Sequence, residues 1–116
     1  MITTVPDLTK SPPRSGRSML GHYAWLARLA DKIRAEQAGT NGNYTGYCPV
    51  SKGFLERAGV AQDTFDVLIA QGADDEKLVT YFDRHVSPEC RQRANDFVLQ
   101  EHRADLDRQD REEGRL

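Results

Sequence analysis

The sequence predicts an all-α protein, a small single-domain bundle of about five helices with an extended N-terminal arm. Its length of 116 residues suits one domain with one hydrophobic core. Apolar residues recur at i, i+3, i+4 and i+7 in successive segments, which glycines and prolines separate. No segment alternates apolar and polar residues over enough positions to predict a strand.

Residues 1–18 form the predicted arm, because three prolines and Gly16 disfavour a helix there. The strongest helix pattern follows, with Leu26, Leu29 and Ile33 on one apolar stripe. We expect Ser18 to cap this helix. A glycine, Gly39, is expected to end it. The charged residues of the helix fall mostly off the stripe, which predicts a solvated face: Arg28, Asp31, Lys32 and Arg34.

The shorter helices follow a loop that is rich in glycine and asparagine. Ser51 is the predicted cap of the first, and Pro88 begins the last after Ser87 as cap. Residues 19–103 constitute the helical domain, and 104–116 are a charged tail that we expect to fray. The predicted short helices span 51–58, 62–71 and 73–85, with the last one starting at 88.

Composition argues against several classes of function. The formal net charge is -2, whereas proteins that bind nucleic acid or anionic membranes usually carry a basic excess. No apolar run approaches the ~20 residues that span a bilayer. The first residues lack the apolar core of a secretory signal, so we expect a cytoplasmic protein. In that compartment Cys48 and Cys90 are expected to be free thiols.

The segment from Ser51 to Gln71 has the apolar framework of a helix-turn-helix around Gly59. The helix that would enter the major groove, however, exposes Asp63 and Asp66. It also lies in a stretch that contains no lysine or arginine, although phosphate neutralisation supplies much of the affinity for DNA. This pattern favours a helix pair packed into the core over a DNA reader.

Four segments occur in the order "DLTKSPPRSGR", "LGHYAWLARLADKIRAEQAG", "GYCPVSKGFLERAGV" and "QGADDEKLVTYF". They include the patterns L-x-D-K-x-R-A-x-x-A-G from Leu29 to Gly39 and G-F-L-x-x-x-G-V from Gly53 to Val60. With these motifs the chain resembles a bacterial domain-of-unknown-function family, family 5069, over residues 7–99. The resemblance implies a small, mostly helical bacterial protein, and it carries over no activity and no catalytic residue.

The arm is the first candidate site, because it carries Lys10, Arg14 and Arg17. Arginines in a proline-stiffened segment present fork-shaped donors to phosphate or carboxylate groups. The alternative is that Arg14 and Arg17 pair with surface acids and hold the arm against the domain.

The second candidate is the charged row of the long helix together with two tyrosines of the following loop. A loop that carries Tyr44 and Tyr47 and closes over such a row would form a small polar pocket. The alternative is a solvated charged face beside two packed tyrosine rings. The row consists of Arg28, Asp31, Lys32 and Arg34.

The soft metal ligands are three histidines and two cysteines, without the spacing of a known metal motif. We therefore predict no metal and no cofactor. The sequence leads us to expect a binding or adaptor module, monomeric or homodimeric, that recognises a small anionic ligand or a partner protein. The alternative is a small-molecule enzyme that uses Asp31, Lys32 and a loop tyrosine. DNA binding through 51–71 is a third alternative that requires the arm to supply the missing positive charge.

Overall fold

A computed structural model describes residues 5–116 of the chain. It confirms the all-α class: the described residues form helices and turns, and the single β-bridge, between Leu20 and Tyr23, lies outside any strand. The helices are α1 (Leu26–Ala38), α2 (Pro49–Ala58), α3 (Gln62–Ala70), α4 (Asp75–His85), α5 (Pro88–Asp96) and α6 (Arg103–Glu112), with a π-helical segment (Phe97–Glu101) between α5 and α6.

The long helix starts eight residues later than the predicted cap Ser18, so that assignment is wrong. The chain instead makes tight turns as far as Trp25, whose φ of 71° lies in the left-handed region. The amide of Trp25 donates to the carbonyl of Gly16 over 2.9 Å. A Cβ at Gly16 would lie 2.6 Å from the Trp25 ring, so this close approach requires glycine.

Several other helix starts and ends lie where the sequence predicts them. Gly39 and Gly59 end α1 and α2 with φ of 75° and 80°. The hydroxyl of Ser87 accepts a hydrogen bond from the amide of Cys90 and caps α5, which begins at Pro88 as predicted. Ser51, in contrast, does not cap α2, which begins at Pro49. Its hydroxyl is buried and accepts a 2.9 Å hydrogen bond from the indole of Trp25.

Helix α1 is the centre of the fold, since every residue from 26 to 35 is buried. It packs against α3, while α2 packs against α5 and the π-helical segment. The aromatic core surrounds Phe82, whose ring centroid lies 5.3 Å from that of Tyr23, 6.3 Å from that of Phe54 and 6.2 Å from that of Phe65. These rings join α2, α3 and α4 to the residues before α1.

The C-terminal tail differs from the expectation that it frays. Residues 103–112 form α6, and Leu106 and Asp110 in it are 1% and 6% exposed. The arm is ordered in its described part, where the amide of Leu8 donates to Thr40 over 2.8 Å. Residues 1–4 of the predicted arm lie outside the described part of the chain.

Replacing Phe82 by alanine is expected to destabilise the domain by about 3–5 kcal/mol, because the change removes a buried ring and leaves a cavity. Urea denaturation followed by circular dichroism measures the loss. Val67→Ala is the control, since this side chain is 52% exposed. A Phe82 variant with the stability of the control would show that the rings do not form the core.

Candidate functional site

The charged row of α1 is buried, contrary to the expectation of a solvated face. The residues Arg28 and Lys32 are each 3% exposed, and Asp31 and Arg34 are each 8% exposed. The reason is that α1 is covered on its polar side as well, by the arm, the 40–47 loop and the C-terminal residues. A buried charge is costly unless it is paired, so the partners of these four side chains determine what the site does.

Asp31 and Arg34 belong to a network of ion pairs whose charges cancel. The guanidinium of Arg14 contacts Asp31 at 3.1 Å and Asp75 at 2.9 Å, and its backbone amide also donates to Asp31. Arg34 contacts the same Asp75 at 3.0 Å and the carbonyl of Ala73. Burial opposes the charge of Asp75, but the hydrogen bonds from Arg14 and Arg34 outweigh it and lower its pKa. Two arginines and two aspartates therefore neutralise each other.

The remaining cations of the arm are also paired. Arg17 contacts Asp107 at 2.7 Å and Asp110 at 2.9 Å, both in α6. The buried Asp110 additionally accepts a hydrogen bond from the hydroxyl of Ser15 over 2.7 Å. Lys10 lies 3.9 Å from Asp7 on the surface. Arg14 and Arg17 thus hold the arm against the domain, which is the alternative that the sequence left open.

Arg28 is paired with the far end of the chain. Its guanidinium makes two hydrogen bonds to Glu113, at 2.8 and 2.6 Å, and both side chains are at least nine-tenths buried. Burial favours the neutral form of Glu113, yet the contacts with Arg28 dominate and lower its pKa. The hydroxyl of Tyr44 donates to the same carboxylate over 3.3 Å. The Arg28 guanidinium also lies 5.7 Å from the centre of the Tyr44 ring.

A polar cleft opens beside this pair, between the 40–47 loop and α6. Two of the residues that line it each have a buried side-chain atom without a hydrogen-bond partner among the described residues, namely the donor Nε of Arg28 and the acceptor Oε1 of Gln109. We call this polar cleft the Arg28 cleft. It has a volume of about 420 Å3, and its lining consists of Arg28, Asn43, Tyr44, Gln109, Glu112 and Glu113.

The second loop tyrosine does not reach this cleft. The hydroxyl of Tyr47 donates to Asp66 over 2.5 Å and also lies 3.2 Å from the carbonyl of Gln62. Burial and the neighbouring Asp66 raise the pKa of Tyr47 above its ordinary value. Of the residues predicted to form one pocket, the structure thus brings together Arg28 and Tyr44, while Asp31, Arg34 and Tyr47 have other partners.

Lys32 has a partner that the sequence did not predict. Its Nζ lies 3.3 Å from the sulfur of Cys48, a residue of the loop before α2. The ring of Trp25 lies beside the same ammonium group at 5.3 Å. The signal in the sequence is weak, because Lys32 and Cys48 are separated by a whole loop and neither belongs to a recognised spacing motif.

The exposed side of α3, which would face DNA in a helix-turn-helix, carries the acidic Asp63 and the apolar Val67. No lysine or arginine occurs from Gln62 to Ala70. Within residues 5–116, no group of three or more histidine, cysteine, aspartate or glutamate side chains has the arrangement of a metal site. No helix in the same range is both long enough and apolar enough to cross a membrane.

Comparison with protein families identifies the chain through nearly its whole length. Residues 10–115 match the family model described as domain of unknown function (DUF5069). The chain belongs to this family. The match confirms the resemblance inferred from the arginine-containing arm and the two helix motifs. A search of curated proteins finds no match. Membership in DUF5069 brings no activity with it, so the function has to be argued from the site.

Glu113→Gln is expected to lower the free energy of unfolding by about 3 kcal/mol, because it leaves the buried Arg28 guanidinium without its counter-charge. The neighbouring Glu112 provides the matched control, since its side chain is 67% exposed and its Glu112→Gln variant should unfold as the unchanged protein does. Both are measured by urea denaturation. Equal midpoints for the two variants would contradict the assignment of Glu113 as the partner of Arg28.

Proposed function

We propose that this protein is a binding module that holds a small polar ligand in the Arg28 cleft. The observation that carries the proposal is the pair of unpartnered polar atoms there, Nε of Arg28 and Oε1 of Gln109. Buried polar groups in folded proteins nearly always have hydrogen-bond partners, and leaving them unpaired costs free energy. A ligand that offers both an acceptor and a donor would relieve this cost once the two side chains turn these atoms toward the cleft.

The charge of the cleft supports an amine over an anion. Arg28 is already bound to Glu113, and the rim carries the exposed carboxylate of Glu112, which lies 3.8 Å from the likewise solvent-facing Arg108 and can turn to a ligand. An anion at the predicted arm would also compete with carboxylates that Arg14 and Arg17 already contact. The ligand class that fits is therefore a small amine that also carries a carbonyl or hydroxyl oxygen.

The other functions considered from the sequence have less support. Asp31 is held by Arg14, Lys32 faces Cys48, and Tyr44 donates to Glu113. These groups do not converge on one point, as an acid and a base acting on one substrate would have to do. A partner protein would favour a contiguous apolar patch. The large exposed apolar side chains instead come from four separate segments: Val5, Met19, Val67 and Leu116.

Thermal unfolding in the presence of small molecules tests the proposal. The series contains amino-acid amides and amino alcohols, with inorganic phosphate and dicarboxylates for comparison. At 100 times its dissociation constant a ligand adds about 2.7 kcal/mol of stability. In a domain of this size that corresponds to roughly 10 °C in Tm.

We expect stabilisation by a member of the amine group, and its loss in the variants Gln109→Leu and Glu112→Gln. Glu101→Gln is the matched control, because Glu101 is an exposed glutamate that does not line the cleft. Stabilisation that survives both cleft variants would overturn the site. Stabilisation by anions alone, or by no compound, would overturn the ligand class.

A further inference from the structure

The pair of Lys32 and Cys48 lies outside the Arg28 cleft and joins α1 to the start of α2. Besides the 3.3 Å contact with Lys32, the sulfur lies 3.4 Å from the hydroxyl oxygen of Ser51. The Ser51 oxygen already accepts a hydrogen bond from the indole of Trp25. Its own hydrogen is therefore free to point at the sulfur, so both polar neighbours of Cys48 can act as donors.

Because Lys32 is buried, the ionisation state of Cys48 decides whether the ammonium group of Lys32 has a counter-charge. Lys32 is 3% exposed, and the hydrogen-bond partner of its Nζ among the described residues is the sulfur of Cys48. An unpaired ammonium in such surroundings costs several kcal/mol. A neutral thiol provides no counter-charge, whereas a thiolate provides one at hydrogen-bonding distance. The geometry thus favours a thiolate and an ammonium over a thiol beside a charged lysine.

The surroundings of the sulfur agree with this state. Cys48 is the N-cap residue of α2, a helix of 10 residues, where the helix dipole favours a negative charge. Burial opposes ionisation of Cys48, but the charge of Lys32 and the hydrogen bonds of Ser51 outweigh it and lower the thiol pKa. Burial lowers the pKa of Lys32 below its ordinary value, and Cys48 opposes this shift; of the more distant charges, Arg28 lowers the pKa of Lys32 and Glu113 raises it.

We propose that Cys48 is a reactive thiolate, activated by Lys32, and that its substrates are small hydroperoxides. Cys48 is half-buried whereas Lys32 is buried, so we expect a compact oxidant to reach the sulfur from the Cys48 side. Thiolates, and not thiols, react with such oxidants, and low-pKa accessible cysteines are the ones that become oxidised.

The reaction balances with the groups that are present. The thiolate of Cys48 attacks one oxygen of the hydroperoxide, the O–O bond breaks, and an S–O bond forms. The sulfur is oxidised by two electrons to a sulfenic acid, and the peroxide is reduced. The leaving oxygen takes a proton from the Lys32 ammonium and departs as water or as an alcohol. Two molecules of a small cellular thiol then restore Cys48, with release of a disulfide and water.

The first test is the pH dependence of alkylation by iodoacetamide, in a Cys90→Ser background that leaves Cys48 as the single thiol. We expect the reaction to follow a pKa below the ordinary value of about 8.5. In Lys32→Met, which keeps an apolar side chain of similar length, the midpoint should rise by about one unit or more and the rate at neutral pH fall about tenfold. Lys52→Met is the control, because Lys52 is an exposed lysine on α2.

The second test adds hydrogen peroxide and traps the sulfenic acid with dimedone for mass spectrometry. Labelling at Cys48 that depends on Lys32 and not on Lys52 is the expected result. The single tryptophan, Trp25, gives an independent signal, since its indole contacts Ser51 and its fluorescence should follow the ionisation of the sulfur.

Three outcomes would overturn the proposal. An alkylation midpoint at or above that of a free thiol would exclude the activated thiolate, and this measurement needs only the Cys90→Ser protein even if Lys32→Met does not fold. A low midpoint that Lys32→Met leaves unchanged would exclude the role of Lys32. A low midpoint with peroxide reactivity no faster than that of free cysteine would exclude hydroperoxides as the substrate class.

Discussion

The burial of four charged side chains on α1 constrains the rest of the structure. A helix with Arg28, Asp31, Lys32 and Arg34 at its centre is stable only if every charge meets a partner, because an uncompensated buried ion costs several kcal/mol. The partners come from distant parts of the chain. They are Arg14 from the arm, Asp75 from the start of α4, Glu113 from beyond α6, and Cys48 from the loop before α2.

These partners explain why both ends of the described chain are ordered. The arm would have little reason to adopt one path from its prolines alone, but Arg14 and Arg17 connect it to Asp31 and to α6. The C-terminal residues follow the same logic, since Arg115 contacts Glu113 and the carbonyl of Pro13. The network also leaves two places for chemistry, the Arg28 cleft and the pair of Lys32 and Cys48, which share α1 and the neighbouring ring of Trp25.

Several local signals predicted the structure correctly, although the equally local caps predicted at Ser18 and Ser51 are wrong. The cap at Ser87, the proline that begins α5 and the glycine that ends α2 each depend on a few neighbouring residues. Sequence reasoning failed where the signal is distant. The counter-charge of Arg28 lies 85 residues away in Glu113, so the helical pattern alone places that arginine in solvent. The prediction that the tail frays is wrong for the same reason. One buried apolar residue, Leu106, is enough to hold α6 against the domain when its charged neighbours pair with the arm.

The candidate site was predicted only in part, because only some of its contacts are between residues close in sequence. Arg28 and Tyr44 lie together as the loop-over-helix hypothesis requires, because a short loop returns directly across its own helix. The partner of Lys32 was not predicted, since nothing in the spacing of Cys48 distinguishes it from an inert thiol. Family membership supported the fold and added no residue to the site.

The arm and the C-terminal residues neutralise charges of α1, and truncation tests this dependence most directly. A chain that ends at Arg103 loses α6 and Glu113, and with them the partners of Arg17 and Arg28. Urea denaturation should show a loss of more than about 3 kcal/mol, or no cooperative transition, relative to a chain without the exposed Leu116. An unchanged midpoint would contradict the account, because it would mean that the buried charges of α1 do not depend on the C-terminal residues.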